Sequence, residues 1–404
     1  MIGTIHTLVI GGGQAGVASS AHLQEQGVPH VVLERSRIAE RWRSERWDNL
    51  VANGPAWHDR FPAAEFSDLD PEEFATKERI AAYFETFARD RKLPIRTGVT
   101  VTRLERQGAG FRATTSEGVI EAENVIVATG PFQKPLIPTV VTDPAITQMH
   151  SNAYRNPAAL PAGAVLVVGA GASGSQIAEE LVRAGRRVYL SLGPHDRPPR
   201  RYRGKDFVWW LGKLGKWDAK APDPGTEHIT IAVSGAYGGH TMDFRRLAAQ
   251  GITLLGRAGA CAEGVLSFAP DLKTNIENGD RNYLSVLAEA DAYAKAEGID
   301  LPQEPEAHVL GPLPDCVTRP TPSLNLKEAG ITSIIWATGF KLDFGWIDID
   351  LFRADGRPRH QDGVSDVPGL YFVGLPWLSC RGSAFIWGAW KDAERLAGLI
   401  AAKG

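Results

Sequence analysis

Three glycines at positions 11, 13 and 16 stand in a G-x-G-x-x-G spacing directly after the apolar run Leu8-Val9-Ile10. A dinucleotide asks for glycines at that spacing: a tight turn, a close backbone approach to a pyrophosphate, and a helix packed hard against the preceding strand. The first N–H groups of that helix then face the anion. Val31-Val32-Leu33 follows and ends in Glu34, an acid about twenty residues on, where a carboxylate can accept hydrogen bonds from a ribose. Gln14 and Ala15 inside the turn, and Arg35 beside the acid, belong to the same expected contact surface. The pattern returns about 158 residues later, where Val165-Leu166-Val167-Val168 runs into Gly169, Gly171, Ser173 and Gly174. One such turn is weak evidence, since glycine-rich turns also arise for purely structural reasons. Two point to a chain that holds two dinucleotides.

The copies differ where recognition differs. After the second turn the sequence reads Arg186-Arg187-Val188-Tyr189-Leu190-Ser191-Leu192, followed by Arg197, Arg200, Arg201 and Arg203. An acid there would repel a 2'-phosphate, whereas a hydroxyl and guanidinium groups can bind one. Ser191, Arg200 and Arg201 are therefore the expected readers of NADPH, and the first turn, with Glu34, is expected to take FAD. The alternative for the arginines is a solvated basic face.

Strands and helices must carry these turns. Residues 17–26 read as a helix of small and apolar residues closed by Gly27, and 175–184 as its counterpart closed by Gly185. Residues 71–92 carry Phe74, Ile80, Tyr83, Phe84 and Phe87 at near-helical spacing, which is a core stripe. Short antiparallel strands are expected over 99–104, 111–115 and 119–121, leading to the apolar strand that ends in Ala128-Thr129-Gly130. A second Ala-Thr-Gly ending, Ala337-Thr338-Gly339, closes the apolar run at 334–336. Helices are further expected over 244–250, 280–297 and 383–400, and strands over 252–255 and 369–374. The fold class is α/β, with two Rossmann-like dinucleotide-binding domains, the NADPH domain inserted into the FAD domain. The expected boundaries are 1–145 for the first part of the FAD domain, 160–325 for the NADPH domain and 326–404 for the second part.

Composition narrows the function classes. The chain of 404 residues is 43% hydrophobic and 23% charged with a formal net charge of -3, which leaves no electrostatic footprint for nucleic acid. Cys261, Cys316 and Cys380 lie far apart with no Cys-x-x-Cys, so neither a dithiol redox centre nor a zinc knuckle is indicated. Sparse, unpaired thiols, no export signal and no apolar run of membrane-spanning length together lead us to expect a cytoplasmic protein without a membrane partner. Eleven Trp are present, three of them in the Arg-rich stretch 41–57 that opens on Arg41 and Trp42, and three more within about 203–245. The first stretch is read as a wall over the flavin end of a dinucleotide. The second is either an apolar insertion, a wall beside an apolar or aromatic small-molecule substrate, or a homodimer contact.

The paired glycine turns, the two Ala-Thr-Gly endings and the stretch His150-Ser151-Asn152-Ala153-Tyr154-Arg155-Asn156-Pro157 between them resemble the class B flavoprotein monooxygenases. His-Ser-x-x-Tyr followed by Asn-Pro is similar to the flavin-containing monooxygenases and the plant-type indole-pyruvate monooxygenases. Pro144 and Ile146 depart from the family fingerprint, which has Phe and Gly there, and Tyr154 stands where Baeyer–Villiger enzymes usually have Trp. The resemblance implies FAD on Gly11, Gly13 and Gly16, NADPH on Gly169, Gly171 and Gly174, and cofactor contacts from Ala128, Thr129, Gly130, Ala337, Thr338 and Gly339. It implies one oxygen atom from O2 passed through a C4a-hydroperoxyflavin to a nitrogen, a sulfur or a carbonyl compound. Asn53 matches the family's asparagine beside the flavin ring and is the one side chain expected to take part in the chemistry. The alternatives are an NADPH-dependent flavin oxidase or reductase releasing hydrogen peroxide, and a redox sensor that holds FAD without turnover.

Overall fold

The computed structural model describes residues 2–221 and 230–403. The helix Gln14–Glu25 that follows the first glycine turn shows why local pattern alone is a weak guide here. Its residues Ala15–Leu23 are buried all round, because it lies between a sheet on one side and the helices Lys77–Asp90 and Ile386–Ala401 on the other. A helix covered on all sides needs no polar face.

The larger sheet runs in the order Ile347–Asp348, Val101–Gln107, Gly110–Thr115, Gly118–Val127, Ile2–Ile10, His30–Glu34, Ile95–Thr97. Its dinucleotide-binding half is parallel, with Ile10 opposite both Leu33 and Val127. Leu370–Phe372 adds to the same sheet as a parallel neighbour of Gly118–Val127, which returns the C-terminal segment to the first unit. The expected strands around 119–121 and before Ala128 are one continuous strand, Gly118–Val127.

The second sheet is parallel throughout, in the order Thr253–Leu255, Val188–Ser191, Ala164–Val168, Ile331–Trp336, Thr147–His150. Both faces are covered by apolar clusters, one containing Val165, Val167, Ile177 and Leu190 and the other Leu166, Leu255, Ile334 and Trp336. Such double burial accounts for the unbroken apolar runs in these strands. This sheet draws on residues on both sides of the expected 160–325 span. Ile331–Trp336 stands between Ala164–Val168 and Thr147–His150 rather than in the first unit.

The Trp-rich insertion packs on the long helix Leu272–Ala296 and, through Phe207 and Trp217, on Trp57, Ala172 and Trp387. Helix Phe207–Lys213 buries Trp210 against Tyr202, Leu287 and Ala290 of the long helix Leu272–Ala296. That helix starts eight residues before the expected 280, because Leu272 and Ile276 pack into the second sheet's cluster. Residues 222–229 of the insertion lie outside the described residues. No helix among the described residues is long and apolar enough to cross a membrane.

Candidate functional site

The two glycine turns are built alike. Gly11 and Gly169 adopt φ of +112° and +126°, and a Cβ at either would lie 2.7 or 2.4 Å from the carbonyl oxygen of Ala128 or Ala337. Gly16 and Gly174 press on those first glycines: a Cβ there would sit 1.8 and 2.0 Å from the carbonyl oxygens of Gly11 and Gly169. Only hydrogen fits at these four positions, which is why the helix can start so close to the strand. The first alanine of each Ala-Thr-Gly ending is thus the floor of a glycine turn, held by Ala128 N–H on Ile10 O and Ala337 N–H on Val168 O, both at 2.8 Å.

Helices Gln14–Glu25 and Ala172–Arg183 begin at Gly13 and Gly171 with no side-chain cap and no acid in the first turn. Their leading N–H groups and partial positive charge are available to an anion. Above Gly13 a Cβ would meet nothing within 4 Å, while at Gly171 it would find Thr230 Cβ at 3.3 Å. Glu34 sits at the end of the first unit's second strand, where Oε2 accepts Gly12 N–H at 2.6 Å and Oε1 accepts Ser36 N–H at 2.8 Å. Each oxygen retains a lone pair for a ribose hydroxyl. Arg35 beside it is exposed and makes no ion pair among the described residues. Gln14 donates from Nε2 to Ala384 O at 2.9 Å, tying the first turn to the loop before the last helix.

The second unit corrects the expectation for Ser191 and the arginines. Gly11 N–H bonds Leu33 O, and Gly169 N–H bonds Ser191 O, so Ser191 is the counterpart of Leu33. The counterpart of Glu34 is Leu192, which is fully buried. Ser191 Oγ is committed to the segment that follows strand Thr253–Leu255, donating to Gly256 O at 2.8 Å and accepting Ala258 N–H at 3.0 Å. Arg200 is likewise committed within the fold. Its guanidinium is buried on Asp206, with Nη2–Oδ1 at 2.5 Å, and donates from Nη1 to Asn53 O at 2.6 Å. Arg197 is paired with Asp280, and Arg203 with Asp291. Arg201 is the exposed member of the group, bonded to Gly238 O. Arg197, Arg200 and Arg203 are struts for this part of the fold, because buried guanidinium groups require fixed partners.

The segment 41–57 lies between the two units. Trp42 packs against the clusters of both, and Arg41 pairs with Glu45 at 3.0 Å. Arg46, which the sequence did not single out, lies over Trp42 and Phe132 with no ion pair among the described residues, and burial pulls its pKa down to about 10. Asn53 is held from both sides. Its Oδ1 accepts Gln176 Nε2 at 2.9 Å, while Gln176 also reaches Val233 O at 2.7 Å, so Asn53 Nδ2 is left as a donor without a partner among the described residues.

The linker and the two Ala-Thr-Gly endings are held by further bonds, some local and some between distant segments. His150 donates from Nε2 to Gly339 O at 2.9 Å and stacks edge-on to Phe340, and burial lowers its pKa. Gln133 Nε2 bonds Gly130 O and Thr129 Oγ1, and Thr338 Oγ1 donates to Leu136 O. Tyr154 Oη donates to Glu180 Oε2 at 2.8 Å, and Asn49 Nδ2 to Glu180 Oε1 at 2.6 Å, anchoring the helix of the second turn to both the linker and the 41–57 segment.

Two glycine turns of the dinucleotide-binding kind, one on the parallel half of a mixed sheet and one on a wholly parallel sheet, define an oxidoreductase of the flavoprotein fold. The family model described as pyridine nucleotide-disulphide oxidoreductase matches residues 8–205. An uncharacterized CzcO-like oxidoreductase of Geobacillus kaustophilus is 33% identical over 398 residues, covering 97% of each chain. The chain belongs to this CzcO-like oxidoreductase family. The probable indole-3-pyruvate monooxygenase YUCCA4 of Arabidopsis thaliana is 25% identical over 96% of this chain and 88% of its own. Among solved structures, a flavin-containing monooxygenase from Stenotrophomonas maltophilia superposes with a TM-score of 0.69 at 17% identity, covering 100% of this chain and 99% of that one. OTEMO in complex with FAD and NADP gives 0.57 at 17% identity over 98% of this chain and 85% of that one. The resemblance to class B flavoprotein monooxygenases is borne out, and so is the α/β fold with Rossmann-like units. Cys261, Cys316 and Cys380 are all unpaired.

Proposed function

We propose that the chain is an FAD- and NADPH-dependent monooxygenase that transfers one oxygen atom from O2 to a small apolar or aromatic molecule. The observation that carries this reading is Asn53, fixed by Gln176 from the second unit's helix and by Arg200, with its Nδ2 donor left over beside a helix whose glycine turn, like the first, is uncapped. FAD on the first turn would supply hydride acceptance and dioxygen activation. The open space at Gly13 and the spare lone pairs of Glu34 fit its pyrophosphate and ribose. NADPH fits the second turn, where buried Leu192 replaces the acid that would repel a 2'-phosphate. Asn53 Nδ2 would orient the reacting oxygen.

Purified protein tests this. FAD should co-purify, bleach with NADPH under anaerobic conditions, and return in air with one oxygenated product per NADPH when substrate is present. Hydrogen peroxide equal to the NADPH consumed, with every substrate tried, would instead identify an oxidase. A protein that binds no FAD refutes the proposal.

A further inference from the structure

Asp196 and Arg381 are opposite charges that stand near each other and do not meet. Each is half-buried and feels the other's charge, yet neither side chain makes an ion pair or a hydrogen bond among the described residues. Burial outweighs their mutual pull on both sides, raising the pKa of Asp196 and lowering that of Arg381. The neighbouring Arg197, by contrast, lies on Asp280 at 2.7 Å. The charged atoms of Asp196 and Arg381 are not among the sealed, unpartnered ones of the described residues, so both remain open to a solute.

Asp196 belongs to the short strand His195–Asp196, parallel to Thr230–Ile231 with Asp196 opposite Ile231. Paired residues share a face and successive residues alternate. Asp196 therefore points away from buried His195 and to the side of Ile231, which packs with Ala172 at the head of the second-turn helix. The same segment leads to Asn53: Ala232 N–H bonds Asp196 O, and the next carbonyl, Val233 O, holds the Gln176 amide that also holds Asn53. Arg381 comes from the segment tied to the first turn. It opens the turn Arg381–Ala384, whose last carbonyl accepts Gln14 Nε2 at 2.9 Å. Its backbone N–H is fixed on Ala219 O at 2.8 Å, and Phe385, 38% exposed, lies beside it against Trp217.

We propose that Asp196 and Arg381 hold the head group of the substrate, and that the substrate is an α-amino acid with an apolar side chain. Its ammonium donates to the Asp196 carboxylate, and its carboxylate accepts from the Arg381 guanidinium. Opposite charges on one carbon, with charge-assisted bonds of about 2.8 Å at either end, bridge two ions that stand beyond direct contact. A molecule with a single charge would leave one of the two ions as it stands. Phe385 offers the apolar surface at the rim. The inference rests on the monooxygenase reading for what happens to the bound molecule, and its test is a binding measurement that does not.

Calorimetric titration of the full-length holoprotein with L-phenylalanine, 2-phenylethylamine and 3-phenylpropanoate separates the two charges, since each analogue keeps the ring and one ionic group. The wild type should bind L-phenylalanine at least about tenfold more tightly than either analogue. Arg381→Gln should weaken L-phenylalanine and 3-phenylpropanoate by about tenfold or more and leave 2-phenylethylamine unchanged; Asp196→Asn should do the reverse for the two analogues. Equal affinities in the wild type, no binding of L-phenylalanine, or variants that weaken all three ligands alike would overturn the site. Loss of FAD from Arg381→Gln with the charge selectivity unchanged would make Arg381 a cofactor contact and overturn it as well. FAD content and bleaching by NADPH are scored on the same samples. Holoprotein that bleaches but shows no charge selectivity refutes the head-group site alone; charge-selective binding by protein that retains no FAD refutes the monooxygenase reading alone.

Discussion

Replacing Arg200 by Met separates two roles that the same residue could hold. Arg200 and Asp206 have side chains 2% and 1% exposed, joined by Nε–Oδ2 at 2.9 Å and Nη2–Oδ2 at 2.6 Å. Removing the cation leaves a buried carboxylate with only Val208 N–H for company, a loss of about 3–5 kcal/mol. For cooperative unfolding of 404 residues, with an entropy of about 0.8 kcal/mol per kelvin near 60 °C, Tm should fall by about 4–6 °C. Asp206→Asn in the same chain neutralises the stranded charge and keeps a good helix cap. The double variant then lacks mainly the hydrogen bonds to Asn53 O and Ser234 O, about 1–2 kcal/mol together. The NADPH over NADH preference should stay unchanged throughout. Scanning calorimetry and steady-state kinetics with both nucleotides read the outcome. A phosphate-reading arginine predicts the reverse, a fall of about 10- to 100-fold in kcat/KM for NADPH alone with Tm retained, and that result would refute the structural role.

Asn53→Ala should still retain FAD and accept hydride from NADPH, while product per NADPH falls by about 10²-fold and peroxide rises in its place, measured by paired product and peroxide assays. Gly16→Ala should abolish FAD retention after gel filtration, because its Cβ would lie 1.8 Å from Gly11 O; Gly174→Ala, at 2.0 Å from Gly169 O, should spare FAD and abolish bleaching by NADPH. His195 is buried with Nε2 unpartnered, and burial lowers its pKa from 6.5 to about 4. Between those values the unfolded chain binds the proton and the folded one does not, so stability is complete above about pH 6.5 and falls by up to about 3 kcal/mol as pH drops to 4. Urea midpoints across that window should lose this component of the slope in His195→Phe.

The Rossmann character was legible because its signals are contiguous. A positive φ at Gly11, the apolar run before it and the small residues after it lie within about ten positions, and the second copy repeats them. Glu34, at the end of the next strand, is a short-range signal of the same kind. Domain limits were less legible, because Ile331–Trp336 looks like any apolar strand until its register against Ala164–Val168 is known.

The assignment of individual side chains was decided by tertiary structure. Arg200 reads as a free cation in sequence, yet it meets Asn53 O across 147 positions and shields Asp206 from water. Ser191 reads as the acid's replacement, yet strand register places Leu192 there. The orientation of the Asn53 amide depends on Gln176, 123 residues away, and the burial of the His58 ring on contacts with Trp217 and Trp387. Turn geometry is encoded by neighbours in the chain, because a glycine's freedom is a property of that glycine. Whether a charged or polar side chain is free to meet a ligand depends on which distant groups have already satisfied it, and only the folded chain brings those groups together.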